Sequence, residues 1–170
     1  MQLPDPETLL SEITAKIKNN ITANTAIVGI HSGGVWIMER VLANIDQKLP
    51  YGTLDAALYR DDYAQRGLKR STQPANIPFD VQHKDIILID DIFYTGRTTR
   101  AAINELFDYG RPASITLAVL INRGGAQLPI APQIIGATIP ITPQQNFKLS
   151  RSEQGTLALA LEDSQDANHV

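Results

Sequence analysis

The sequence contains no cysteine. Structural disulfides, cysteine nucleophiles and thiolate metal sites are therefore excluded. It also lacks any apolar run long enough to span a bilayer. Its first residues, Met1-Gln2-Leu3-Pro4-Asp5, do not open like a signal peptide, so no membrane partner is expected and the cytoplasm is the expected compartment. Neither sign of charge dominates. Fifteen Lys and Arg against 18 Asp and Glu leave a net charge of −3, which gives no global attraction to nucleic acid but leaves room for a local basic face. No G-x-x-x-x-G-K-[ST] segment occurs, which removes the kinase-type phosphate loop. What remains is an ordinary globular composition, 43% hydrophobic and 19% charged over 170 residues, enough for one domain with a real core. No repeat or linker divides it. The domain is expected over residues 1–162, with the polar end at 163–170 disordered.

One stretch organises the rest: Ile86-Ile87-Leu88-Ile89-Asp90-Asp91-Ile92-Phe93-Tyr94-Thr95-Gly96-Arg97-Thr98-Thr99. Four aliphatic residues in a row read as a strand buried on both faces. Two adjacent carboxylates do not belong inside such a strand, so Asp90 and Asp91 are expected at its exposed C-terminal end. Thr95, Gly96, Thr98 and Thr99 follow, then a helical run from Arg100 to Tyr109, with Gly110 as a left-handed C′ residue. A hydroxyl-rich turn ending on a helix N-terminus is suited to an anion. Acids beside such a cradle suggest a ligand bearing both hydroxyls and a phosphate. For the acid pair alone, loop solvation or a helix cap is an equal reading.

Elsewhere, Asp5 and Pro6 start a helix whose apolar positions Leu9, Leu10, Ile13 and Ile17 leave Glu12, Lys16 and Lys18 in solvent. Ala26–Ile30 reads as a second buried strand, followed by His31-Ser32-Gly33-Gly34 and a helix from Val35 to Ile45. That glycine pair is a tight turn or an anion loop. His31 is open between ligand, base and neither, and Trp36 reads as packing. Thr53–Tyr59 is expected as a strand. The long polar span from 60 to 84, with Arg66, Lys69 and Arg70, is a lid, a hairpin excursion or disorder. Further strands are expected at Ser114–Ile121, Ile134–Ile139 and Gly155–Leu161. Strands alternating with helices predict an α/β fold with a mostly parallel central sheet and ligand loops at the strands' C-terminal ends.

The order of aliphatics, acids and Thr-Gly-x-Thr resembles the phosphoribosyl pyrophosphate (PRPP) signature of the type I phosphoribosyltransferases. Leu58-Tyr59-Arg60-Asp61-Asp62, Ile89-Asp90-Asp91, Tyr94-Thr95-Gly96-Arg97-Thr98 and Asn122-Arg123-Gly124 with Leu128-Pro129-Ile130 resemble the bacterial PyrR proteins in particular, over most of residues 5–162. The resemblance implies a type I phosphoribosyltransferase fold with a small hood and a flexible loop. It implies a uracil phosphoribosyltransferase, a pentosyltransferase making UMP and pyrophosphate from uracil and PRPP, and a role in pyrimidine salvage. Mg²⁺ would be held mainly by PRPP, with no protein metal site. UMP or UTP as ligands, an mRNA leader as partner in transcription regulation, and a homodimer or higher assembly are implied too. By the same resemblance Asp90 and Asp91 hold the ribose 2′ and 3′ hydroxyls, and Thr95, Gly96, Arg97, Thr98 and Thr99 wrap the 5′-phosphate. Ser32, Gly33 and Gly34 meet the pyrophosphate, Arg60 assists catalysis, and Ile135 and Gly136 line the base under the hood.

The chain departs from that family at chosen points. Ser32-Gly33-Gly34 stands where the family has Thr-Arg-Gly, so a guanidinium at the pyrophosphate is missing. Gly125, Ala126, Gln127 and Ala131 replace charged members of the segment after Arg123, and Ala137-Thr138 replaces Lys-Asn. Lost cations weaken an RNA-binding role, because phosphate contacts supply most nucleic-acid affinity. Two alternatives therefore accompany the enzyme: a nucleotide-sensing or RNA-binding regulator with little turnover, and a phosphoribosyltransferase for another base.

Overall fold

The computed structural model describes residues 2–56 and 74–163. The expectations for Arg60, for the rest of the 58–62 segment, for Arg66, Lys69 and Arg70, and for 164–170 lie outside the described residues.

Helix α1 (Pro6–Lys18) starts as its sequence dictates. The Asp5 carboxylate accepts from the backbone N–H groups of Glu7 and Thr8, and Pro6 occupies the first turn. Strand β1 (Thr25–Ile30) leads into α2 (Gly33–Ala43), then β2 (Tyr51–Leu54), β3 (Asp85–Phe93), α3 (Arg97–Asp108), β4 (Ser114–Asn122) and β5 (Ile134–Thr138). The five strands form one parallel sheet in the order β2-β1-β3-β4-β5. Strands β6 (Gln145–Arg151) and β7 (Leu157–Asp163) form a separate antiparallel hairpin.

Both faces of the sheet are covered. Ile87 and Ile89 of β3 pack with Ile13 and Ile17 of α1 and with Ile37 and Val41 of α2. Ile86 and Leu88 point the other way, toward Ala101, Ala102 and Leu106 of α3. This is why β3 reads as an unbroken aliphatic run instead of alternating. Chain order reverses between β1 and β3, and in a sheet of this order the ligand crevice opens beyond the strand ends at that point. Among the described residues, no helix is long and apolar enough to cross a membrane.

Several boundaries differ from expectation. The structure carries β3 through Asp90 and Asp91 to Phe93, because β4 is longer than β1. The ladder to β1 ends at Ile89, whereas Asp90, Ile92 and Phe93 continue to pair with Val119, Ile121 and Asn122. The acids are therefore part of the strand and not its exposed tail. Helix α2 begins two residues and α3 three residues earlier than expected, since Ser32 and Gly96 act as the N-caps. Gly110, the residue after the C-cap of α3, has a positive φ of 149°, which favours glycine. Strand β2 is Tyr51–Leu54, starting two residues before the expected Thr53 and leaving out Asp55 and Ala56, while 57–59 of that expected strand lie outside the described residues. Strand β6 was not anticipated: only Phe147 and Leu149 are apolar in it, too few for a period of two to stand out. Strand β7 runs past the expected end at Leu161 to take in Glu162 and also Asp163, which the sequence assigned to the tail.

Candidate active site

The first turn of α2 is pressed against the acidic end of β3. A Cβ placed on Gly34 would collide with the Ile89 carbonyl and lie 3.0 Å from the Asp90 Cα, and one on Gly33 would collide with the Asp91 carboxylate. The glycine pair is thus required for close approach, which joins the two stretches that the sequence separates by more than fifty residues. The Ser32 hydroxyl makes no capping hydrogen bond and is exposed at this loop. The His31–Ser32 peptide is cis.

Asp90 is only 3% exposed. Its Oδ1 accepts from the Asp91 N–H at 2.9 Å, and Asp91 Oδ1 accepts from the Ile92 N–H at 2.9 Å. Each acid is oriented by the next backbone amide. The half-buried Asp91 is the member nearer the α2 loop.

Beyond Phe93 the chain turns through Tyr94 and Thr95, both shielded, into Gly96, which at φ 93° takes the left-handed N-cap of α3. Thr95 Oγ1 accepts from the Arg97 N–H at 3.3 Å. Arg97 and Thr98 reach solvent in the first helical turn, while Thr99 is buried. First-turn amides lack intrahelical acceptors, so they and the threonine hydroxyls suit an anion. Two helix N-termini, those of α2 and α3, therefore flank one acidic pair.

The segment after β4 folds back over this turn. The Arg123 N–H donates to the Phe93 carbonyl at 3.0 Å and the Gln127 N–H to the Thr95 carbonyl at 2.9 Å. The Gln127 side chain accepts from Arg97 Nη2 at 3.0 Å. Gly125, at φ 89°, lies against the Tyr94 ring, where a Cβ would come within 2.7 Å of Cε2. Arg123, 6% exposed, stacks on the other part of this arrangement: its guanidinium lies 3.7 Å from the Tyr94 centroid, and Nη1 donates to Asn146 Oδ1 at 2.8 Å. The sequence singled out Arg123 only within a motif. Its role as a brace depends on Asn146, in the strand that was missed.

Ile135 and Gly136 lie in β5, where Ile135 pairs with Val119 and is level with Asp90. The Ile135 carbonyl accepts from Lys16 Nζ at 2.7 Å, and Gly136 lets α1 approach, since a Cβ there would meet the Leu120 carbonyl at 2.5 Å and Leu9 Cβ at 3.3 Å. Ala137 and Thr138 end β5, level with Ile121 and Asn122.

This geometry agrees with what the chain resembles. Residues 3–148 match the family described as phosphoribosyl transferase domain. The protein named Bifunctional protein PyrR from Pseudomonas savastanoi pv. phaseolicola is 41% identical over 167 residues, covering 96% of this chain and 97% of that protein. The protein of the same name from Nitrosococcus oceani is 43% identical over 163 residues, covering 88% and 91%. Among solved structures, a hypoxanthine-guanine phosphoribosyltransferase from Bacillus anthracis superposes with a TM-score of 0.65 at 14% identity, covering 82% of this chain and 84% of that one. A hypoxanthine phosphoribosyltransferase from Staphylococcus aureus gives 0.60 at 22%, covering 82% and 77%. At those identities the solved structures speak for the fold alone. Fold, acidic strand end and near full-length relatives together show that the chain belongs to the phosphoribosyltransferase family, in its PyrR branch.

Proposed function

We propose that this chain is a uracil phosphoribosyltransferase of the PyrR type, transferring the phosphoribosyl group of PRPP to uracil and releasing pyrophosphate. The observation that carries this reading is the packing of the Ser32-Gly33-Gly34 loop directly against Asp91, with the Thr95–Thr99 turn leaving the same strand. A ligand with a diol in its middle and phosphates at both ends matches that order of groups.

Displacement at the anomeric carbon leaves positive charge on the sugar and negative charge on the pyrophosphate. The protein has to hold the reactants in line and stabilise the separating charges. In this reading Asp90 and Asp91 orient the ribose hydroxyls and favour the cationic sugar. Thr95, Gly96, Arg97, Thr98 and Thr99 anchor the 5′-phosphate, and the amides at Gly33 and Gly34 receive the pyrophosphate. Among the described residues no three carboxylates or imidazoles gather into a metal cage. The donor set nevertheless fits Mg²⁺ brought in on PRPP, because that ion keeps most of its water and takes one or two carboxylates plus substrate phosphates. Asp90 and Asp91 would hold it, and its charge would offset that of the diphosphate. Uracil belongs beyond Ile135 and Gly136, near Ala137 and Thr138 at the end of β5.

Binding of UMP or UTP, cytoplasmic location, a homodimeric or higher assembly and an mRNA leader as partner belong to the same reading. The test is turnover of labelled PRPP with a panel of bases. Release of pyrophosphate with uracil alone supports it. Turnover with a purine and none with uracil would replace it with the reading for another base, and no turnover with retained UMP binding would leave the nucleotide-sensing regulator.

A further inference from the structure

Strand β6 is tied to the elements that carry both candidate phosphate loops, one from each end, through Arg123 and through the body of α2. At its beginning, Asn146 holds Arg123, whose guanidinium covers the Tyr94 ring just before Thr95 and Gly96. At its end, Arg151 Nη1 donates to Glu39 Oε2 at 2.6 Å, and the Arg151 guanidinium lies 5.1 Å from the Trp36 ring centroid. The extended stretch between these anchors spans roughly 17 Å. A second grip lies alongside. Arg40 forks onto the Glu7 carboxylate at 3.2 and 2.6 Å and also donates to the carbonyl of Gly155, in the turn joining β6 to β7. Glu7 Oε1 in turn accepts from the Leu157 N–H at 2.9 Å. Trp36, Glu39 and Arg40 recur at i, i+3 and i+4, so one stripe of α2 faces the hairpin. The start of that same helix is Gly33-Gly34.

We propose that the β6–β7 hairpin is a positioning strap for the diphosphate loop: through Arg151 and Arg40 it fixes α2 along its axis and so sets how Gly33 and Gly34 stand against Asp91. Arg151 and Glu39 are positioning residues, remote from the reacting atoms. Their ion pair is 36% and 54% exposed, and pairs this open contribute little to stability. Its effect is geometric. The fit at Gly33 leaves no room for a methyl group, so a small slide of α2 alters the loop, and misplacement on the ångström scale is costly to reactions that depend on alignment.

The inference rests on the assignment of the diphosphate to residues 32–34, and its test separates the two. The full chain carrying Arg151→Gln, Glu39→Gln or both is compared with the charge-swapped Arg151→Glu, Glu39→Arg chain. The singles should raise KM for PRPP by about three- to tenfold with the thermal midpoint and KM for uracil little changed. The double should be no worse than either single, the mark of a shared interaction, and the swap should recover most of the loss. Calorimetry with inorganic pyrophosphate and Mg²⁺ should show the same weakening without any turnover. A wild-type chain that does not bind pyrophosphate would remove the loop assignment and the strap together. Wild-type binding with unchanged affinity and KM in the variants, or with losses that simply add, would remove the strap alone.

Discussion

At the scale of single residues, the site depends on two acids that differ in setting. Asp90 is enclosed in the sheet and Asp91 stands at the loop, yet each accepts one hydrogen bond from the following amide. Replacing Asp90→Asn together with Asp91→Asn removes both charges at nearly constant shape. Affinity for PRPP by calorimetry should fall by at least about tenfold, since a hydrogen bond to a charged group is worth roughly 1.5–3 kcal/mol. An unchanged affinity would take the pair out of the ribose role. Gly34→Ala acts differently, because its Cβ would meet backbone atoms that cannot swing aside. Overpacking of this kind costs about 1–3 kcal/mol, which should lower the thermal midpoint by roughly 3–10 °C in a scan without ligand. The identities of these residues were legible in the sequence. Their environment was not, because whether Asp90 lies inside a strand depends on how far β4 continues, a fact held in its partner Val119 and the residues after it.

At the scale of elements, local signals worked where they were local. Asp5 and Pro6 announced α1, and the spacing of Leu9, Leu10, Ile13 and Ile17 gave its buried face. Of the hairpin, β7 was legible and β6 was not: β6 has two apolar residues, and its partners Glu39, Arg123 and Trp36 lie outside the hairpin. Glu7 illustrates the point. It reads as a first-turn acid of α1, but Arg40, foremost, and the Leu157 amide hold its carboxyl below the usual glutamate range. A folded pKa below the unfolded one stabilises above the unfolded value and is lost as pH falls through the folded value. With side chains 30% and 38% exposed, the pair is discounted to about 0.5–1 kcal/mol for solvent screening. Glu7→Gln should therefore lower the thermal midpoint slightly at pH 7. The gap to wild type should close only as pH falls below the ordinary glutamate range and through the lowered folded value, where the native carboxyl is protonated as well.

At the scale of the whole molecule, the alternation of strands and helices was enough to indicate a parallel α/β sheet, and the motif resemblance was enough to indicate the family. The packing of α1 beside Gly136 was not readable, since nothing in a short apolar run shows which helix lies against it. The substitutions at Gly125, Ala126, Gln127 and Ala131 bear on RNA, and the one at Gly33 bears on the diphosphate. Gly33 and Gly125 lie where a side chain would collide with Asp91 or Tyr94, so small residues there are part of this chain's packing. If only two phosphates are neutralised, filter binding to an operon leader RNA should weaken by about tenfold or less between roughly 50 and 200 mM salt. A loss of several orders of magnitude would instead reveal a basic surface that these positions do not supply.

The enclosure of Asp90 also has a bearing on how the protein is made. An acid carried by the central strand, flanked on one side by β4 and on the other by the first turn of α2, has no site to serve until distant parts of the chain have come together. Parallel pairing of this kind requires closing long loops and is slow. Ligand capture is therefore a late event in the life of the nascent chain. A cell rich in the sugar diphosphate would stabilise finished molecules by mass action without accelerating their formation.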